Sequence, residues 1–164
     1  MIILRTSEAT ATKAVAAALA RAAKSGDLIV LAGEMGVGKT AFAQGFAVGL
    51  DISETVTSPT FTLVRSYPIA PQPGRPRVLH HLDVYRLDRM NEVADLAIGE
   101  LIDDRSVTLI EWGDAVADVL PKDRLEILIS YGEGTDDRVI EIEAIGSLWG
   151  PRLTRLSATW QAWS

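Results

Sequence analysis

Eight consecutive residues constrain this chain more than any others: Gly33-Glu34-Met35-Gly36-Val37-Gly38-Lys39-Thr40 satisfies the phosphate-binding pattern G-x-x-x-x-G-K-[ST] at every fixed position. Such a loop turns successive backbone N–H groups toward one anion. Gly33, Gly36 and Gly38 supply the backbone freedom and close approach that a Cβ would block. Lys39 is then a mobile point charge within reach of β- and γ-phosphates, and the Thr40 hydroxyl stands on the first turn of the next helix, where it can ligate Mg²⁺. The pattern carries this meaning only between a strand and a helix. Asp27 to Ala32 reads as a short buried strand and Thr40 to Val48 as a helix, so that setting is met.

The remaining elements follow from periodicity and turn chemistry. Met1 to Leu4 reads as a strand, followed by an alanine-rich helix that Thr6 or Ser7 would cap and that ends near Lys24-Ser25-Gly26. Thr6 to Thr10 either touch a nucleotide base or ribose or only cap, and the local sequence favours capping. Gly49 ends the helix after the phosphate loop. Phe61 to Pro68 and Arg77 to Tyr85 form an antiparallel hairpin around a stiff tip rich in proline, so the sheet cannot be purely parallel. Met90 to Asp104 has helical spacing, Val107 to Glu111 reads as a buried strand, and Arg124 to Tyr131 with Arg138 to Ile145 makes a second hairpin about Gly132 to Asp137.

Trp149, Leu153, Leu156, Trp160 and Trp163 then recur at spacings of four and three, the apolar stripe of an amphipathic helix over about 148–163 that Pro151 can start. Docking of this stripe on its own domain is expected. The expected fold is α/β. A single domain over residues 1–164 would have the three-layer P-loop NTPase arrangement, with a mixed sheet in which two antiparallel hairpins are added to a parallel core.

Several polar residues stand where phosphate chemistry needs them. Glu111 ends a β-branched strand, the Walker-B form of a carboxylate beside the phosphate loop, and is the preferred Mg²⁺-side acid; simple capping of the following Gly113 to Leu120 segment is the alternative. Asp83, amid Leu82, Val84 and Tyr85, is costly to bury without partners and is a candidate for a water or the metal shell. Ser58 or Thr60, in the hydroxyl-rich loop after the second helix, has the chemistry to sense a γ-phosphate, unless Pro59 marks only a turn. Trp112 follows Glu111 directly, so either a base contact or local packing is open to it. His80 and His81 are strand neighbours that point to opposite faces, and with no cysteine a zinc centre is not expected.

Composition narrows the partners. The net charge is -6, which gives no electrostatic footprint for independent nucleic-acid binding, so any tRNA would be reached through a partner. Arg65, Arg75, Arg77, Arg86 and Arg89 crowd into one third of the chain, interspersed with apolar residues; a solvated face is the expectation and a docking patch the alternative. No run approaches the roughly 18 apolar residues of a membrane span, and the first residues lack a signal-peptide pattern, so a cytoplasmic protein without membrane association is expected.

Taken together with the phosphate loop, Ser58-Pro59-Thr60-Phe61-Thr62-Leu63-Val64, then His81-Leu82-Asp83-Val84-Tyr85-Arg86-Leu87, then Ile110-Glu111-Trp112 make an ordered set that resembles the TsaE (formerly YjeE) family of small bacterial ATPases. The resemblance runs from about Leu4 to the second hairpin. It implies an accessory ATPase acting with TsaB and TsaD in threonylcarbamoyl-adenosine modification of tRNA, with ATP and Mg²⁺ as cofactors. It also implies that Gly36, Val37, Gly38, Lys39, Thr40 and Ala41 hold the ATP phosphates, that Thr40 and Glu111 hold Mg²⁺, that Asp83 and the Ser58 to Thr60 switch support hydrolysis, and that Trp112 lies near the nucleotide. Two features depart from the family pattern: the turn Gly132 to Asp137 lacks a Gly-Arg pair, so no nucleotide contact is assigned to it, and the tryptophan-rich tail has no assigned counterpart.

Two other function classes share the phosphate loop, a small-molecule P-loop kinase and a nucleotide-dependent binding switch of the GTPase kind. The second would carry an [NT]KxD base-recognition motif, and none follows Thr40. The first would add an arginine-rich lid, and Met90 to Asp104 has no clear one.

Overall fold

Strands buried on both faces need cover on both, and the two most completely buried strands here, β2 (Leu28–Ala32) and β5 (Ser106–Glu111), lie side by side in the interior of the sheet. The structure is a computed structural model that describes residues 1–59, 63–85, 98–112 and 120–164. The other strands are β1 (Ile2–Thr6), β3 (Val64–Pro68), β4 (Val78–Asp83), β6 (Arg124–Tyr131) and β7 (Arg138–Ile145), and the order among the described residues is β1-β7-β6-β2-β5-β4-β3. β6, β2, β5 and β4 are parallel, while β7, β1 and β3 join antiparallel. The fold is therefore α/β with a mixed sheet, as expected. Each hairpin gives its inner strand to the parallel core and keeps its outer strand antiparallel.

The helices are α1 (Ala9–Arg21), α2 (Lys39–Gly49) and α3 (Gly150–Thr159), with a 3₁₀ turn at Gln161–Trp163 and one helical turn at Ile98–Leu101. α1 and α2 approach closely because small residues face each other. A Cβ at Gly45 would collide with the Lys13 carbonyl, and one at Gly49 with the Ala17 carbonyl. Together with α3 they cover one sheet face through Val15, Leu19, Phe42 and Phe46 against Ile29, Leu31, Leu109 and Ile127. Leu28, Val30, Leu82 and Ile110 form a second core on the opposite face. Among the described residues no helix is long and apolar enough to cross a membrane.

α1 differs from expectation at both ends. Its N-cap is Glu8, without a side-chain cap, and the Thr6 hydroxyl instead meets that of Thr12 at 2.8 Å in a buried pair. It stops at Arg21 because the Ala22 and Ala23 N–H groups turn back three residues, to Leu19 and Ala20, and the Asp27 carboxylate accepts from the Lys24 N–H. Of the expected helix over Met90 to Asp104, Ile98–Leu101 is helical and residues 90–97 lie outside the described residues. In the tail Trp149, Leu153, Leu156 and Trp160 are buried in the main core, the α-helix ends at Thr159 and the last turn tightens to 3₁₀.

One buried ion pair fastens this tail. Arg152 donates to Asp27 through two nitrogens, at 2.5 and 2.8 Å, and its guanidinium lies 3.8 Å from the Trp149 ring centroid. Removing one partner of such a pair strands the other charge, which costs about 3–5 kcal/mol, whereas replacing both with apolar or neutral groups costs far less. Arg152→Ala should therefore lower the unfolding free energy by about 3–5 kcal/mol in urea denaturation, and Asp27→Asn with Arg152→Met should recover most of the loss. A loss under about 1 kcal/mol in the single variant would mean that the pair does not hold the tail.

Candidate active site

The parallel register of three strands gathers the polar residues at one end of the sheet. Leu31 of β2 stands opposite Glu111 of β5, which stands opposite Asp83 of β4, so the loop after β2 and both carboxylates share the C-terminal edge. That edge is where open α/β sheets bind ligands. A cleft of about 400 Å³ opens there, bordered by Gly36, Gly38, Lys39, Thr40, Asp83 and Glu111, with Met35, Ser58, Tyr85 and Trp112 closing it.

The loop has the backbone that the glycines foretold. Gly38 sits at φ +115° as the N-cap of α2, and a Cβ on Gly33 would strike the Ile129 carbonyl of β6. Val37 is fully buried, Ala41 is half-buried on the first turn of α2, and Gly33 does not border the cleft. Lys39 is 5% exposed, and its Nζ donates to the Gly33 and Glu34 carbonyls at 2.7 Å each. The same ammonium lies 3.7 Å from the centroid of the Trp112 ring, a cation–π contact. Trp112 reaches it because its φ of +62°, in the left-handed region, turns the chain sharply at the end of β5. Tyr85 also packs against Trp112, with ring centroids 4.7 Å apart.

Thr40 and Glu111 form the oxygen pair of the cleft. Thr40 Oγ1 donates toward the Glu111 carboxylate, at 3.3 Å from Oε1 and 3.4 Å from Oε2. A hydroxyl beside a carboxylate is a hard-oxygen set of the kind Mg²⁺ takes. Ser58 Oγ donates to Asp83 Oδ2 at 3.2 Å, and the Tyr85 N–H to Asp83 Oδ1 at 2.9 Å. Ser58 thus faces the acid across the cleft, while Thr60 lies outside the described residues.

Three contributors were not anticipated as such. His81 is fully buried, and its Nε2 meets Glu111 Oε1 at 2.8 Å. The carboxylate can only accept, so Nε2 carries the proton. The alternation that separates His81 from His80 also puts His81 on the face of Asp83, two residues on, and that was the available signal. Tyr131 and Arg138 brace the phosphate loop from the second hairpin: the tyrosine hydroxyl donates to the Met35 carbonyl at 3.1 Å and Arg138 Nε to the Val37 carbonyl at 2.7 Å. The Gly-Arg pair is absent from the turn, yet an arginine one residue past it touches the loop backbone.

The chain is similar to known proteins in sequence and in fold. Residues 6–140 match the family model described as threonylcarbamoyl adenosine biosynthesis protein TsaE. The tRNA threonylcarbamoyladenosine biosynthesis protein TsaE of Bacillus subtilis is 41% identical over 143 residues, covering 87% of this chain and 85% of that protein. The protein of the same description from Streptomyces coelicolor is 37% identical over 135 residues, 80% and 88% of the two chains. The crystal structure of Bacillus subtilis YdiB superposes with a TM-score of 0.75 at 34% identity, over 98% of this chain and 94% of that one. That coverage takes in the tail beyond residue 140, which therefore does have a structural counterpart.

The His81–Glu111 bond can be checked without any ligand. His81→Ala removes the donor from a buried carboxylate, so it should destabilise the fold by about 1.5–3 kcal/mol in urea denaturation, the range for a bond to a charged group. A double-mutant cycle with Glu111→Ala should give a coupling of at least about 0.5 kcal/mol. Additive losses would show that the two side chains do not depend on each other.

Proposed function

Because the chain belongs to the TsaE family, whose members take part in tRNA threonylcarbamoyladenosine biosynthesis, we propose that it is a Mg²⁺-dependent ATPase of low intrinsic turnover that works with TsaB and TsaD in that modification. The observation that carries this reading is the meeting of the phosphate loop with two strand-end carboxylates in one cleft, Thr40 Oγ1 lying 3.3 Å from Glu111.

The residues fit both groups. The Gly33 and Gly38 backbone makes a cradle that side chains would fill or strain, and Lys39 is a cation at its floor. Lys39 would exchange its carbonyl partners for phosphate oxygens, with Trp112 holding the ammonium over the cleft meanwhile. Thr40 and Glu111 would hold Mg²⁺, and His81, donating to Glu111, would fix the carboxylate that does so. The ion, when bound, neutralises charge on the β- and γ-phosphates. Asp83 would accept a hydrogen bond from the attacking water and orient it, with Ser58 steadying the carboxylate from across the cleft. Thr60 belongs to the same proposed switch by its sequence position.

The base would lie on the hairpin side of the loop. A second cleft there runs from Tyr131 and Arg138, which touch the loop, to Thr6, Ser7 and Ala11. The Thr6 hydroxyl is committed to Thr12, so Ser7, exposed and not capping α1, would be the residue of this segment to meet a base or ribose. Cytoplasmic location follows from the same reading, since tRNA modification takes place there.

Two expectations follow for activity. Lys39→Ala should abolish ATP binding in calorimetric titration, and Glu111→Gln should leave nucleotide binding in place while hydrolysis falls about 100-fold or more. Parental hydrolysis in the glutamine variant would move the metal-side acid to Asp83. Phosphate release by the isolated chain should be slow, prefer ATP over GTP, and rise when TsaB and TsaD are added together, because a trans-acting group can contribute on the order of 10³-fold or more in P-loop enzymes. Full activity alone, GTP preference, or transfer of phosphate to a small acceptor would defeat the reading.

A further inference from the structure

The charge of this protein is acidic in sum and segregated in space. Two adjoining clefts, which share Lys24, Gly74 and Arg75, are lined among the described residues by seven Lys and Arg residues and by one acid, Asp104. Two of the seven are committed elsewhere: Arg152 to buried Asp27, and Arg75 to Asp51 at 3.1 Å. The other five, Arg21, Lys24, Arg77, Arg105 and Arg155, are exposed and make no ion pair among the described residues.

These cations do not serve the phosphate loop. Lys24 precedes β2, Arg77 precedes β4 and Arg105 precedes β5, and backbone bonds from Gly26 to Ser106 and from Arg77 to Arg105 draw the three strand starts together. The cluster therefore lies at the N-terminal edge of the parallel strands. The phosphate loop lies at the C-terminal edge, roughly 16 Å away along a five-residue strand. The apolar lining of the face is confined to the small side chains of Ala18, Ala22 and Ala23 and to Leu156, which is buried. None of the exposed large hydrophobic residues, among them Met35, Leu128 and Leu148, lines either cleft. Protein interfaces concentrate their energy in buried apolar and aromatic anchors, whereas a nucleic-acid backbone is held by cations alone, and arginine is the residue best shaped for it.

We propose that this arginine-rich face binds the phosphate backbone of RNA, independently of the nucleotide cleft. The choice of RNA over another polyanion rests on the tRNA-modification reading; the charge geometry does not. Net charge argued that tRNA is reached only through partners, but a sum over the whole chain conceals a face where, among the described residues, lysine and arginine outnumber acids in the lining. Each contacted phosphate contributes about 0.7–0.9 to the slope of log affinity against log salt, so a face of five free cations gives binding that is weak and steeply salt-dependent.

The test is fluorescence anisotropy with a labelled tRNA transcript between about 50 and 200 mM salt. The native chain should bind, and Arg77→Gln, Arg105→Gln and Arg155→Gln combined should weaken binding at least tenfold and flatten the salt slope by about 2. Each single substitution should flatten it by up to about 1, which keeps the test decisive if the triple variant unfolds in a thermal melt. Lys39→Ala should bind tRNA like the native chain. No binding by the native chain, an unchanged slope in the arginine variants, or equal competition by poly-glutamate would overturn the proposal, the last in favour of an acidic protein surface. Failure of the native chain to bind tRNA while it binds ATP counts against this face alone. Failure of the native chain to bind ATP counts against the ATPase reading alone.

Discussion

A phosphate loop is useful only if its cation, its hydroxyl and a strand-end acid meet within a few ångströms, and here the parallel pairing of β2, β5 and β4 sets that meeting. The register Leu31–Glu111–Asp83 fixes which residues reach the edge. A slip of one residue in β5 would turn Glu111 to the other face, bury a different residue against Thr40 and dismantle the cleft. The central strands therefore do two jobs through one feature. Their burial under the helices and the second core marks them as interior strands, and their interior position brings their ends against the loop.

Support for the loop comes from both sides. On one, Trp112 takes a left-handed backbone to lay its ring beside Lys39, and His81 holds the Glu111 carboxylate from beneath. On the other, Tyr131 and Arg138 hold the Met35 and Val37 carbonyls. The loop's own glycines make it adaptable, so its shape depends on these outside contacts. Conformational freedom of the loop and rigidity of its surroundings are complementary requirements for a site that must admit a charged ligand without reorganising.

Much of this was legible in the sequence, for identifiable reasons. A phosphate loop is a local motif, and Glu111 and Asp83 end strands whose apolar runs are local too. The two hairpins and the tryptophan stripe follow from periods of two and of 3.6. What escaped was contact between distant segments. Periodicity gives the face of His81 but not the residue it meets, and nothing in Arg138 itself reveals that a carbonyl 101 residues away accepts from it. Thr6 looked like a cap because threonine commonly is one, and tertiary pairing with Thr12 prevailed. The basic face was hidden for a related reason: its five free cations come from four separate stretches of chain, so a window of sequence sees only Arg21 and Lys24 together.

The central claim is that Thr40 and Glu111 hold a divalent ion against the phosphate loop, and anomalous diffraction from crystals grown with Mn²⁺ and a non-hydrolysable ATP analogue tests it most directly. The account predicts one strong manganese peak between Thr40 Oγ1 and the Glu111 carboxylate, adjacent to the analogue's terminal phosphates. A peak beside Asp83 with Glu111 turned away, or an analogue bound without any metal at this pair, would contradict it.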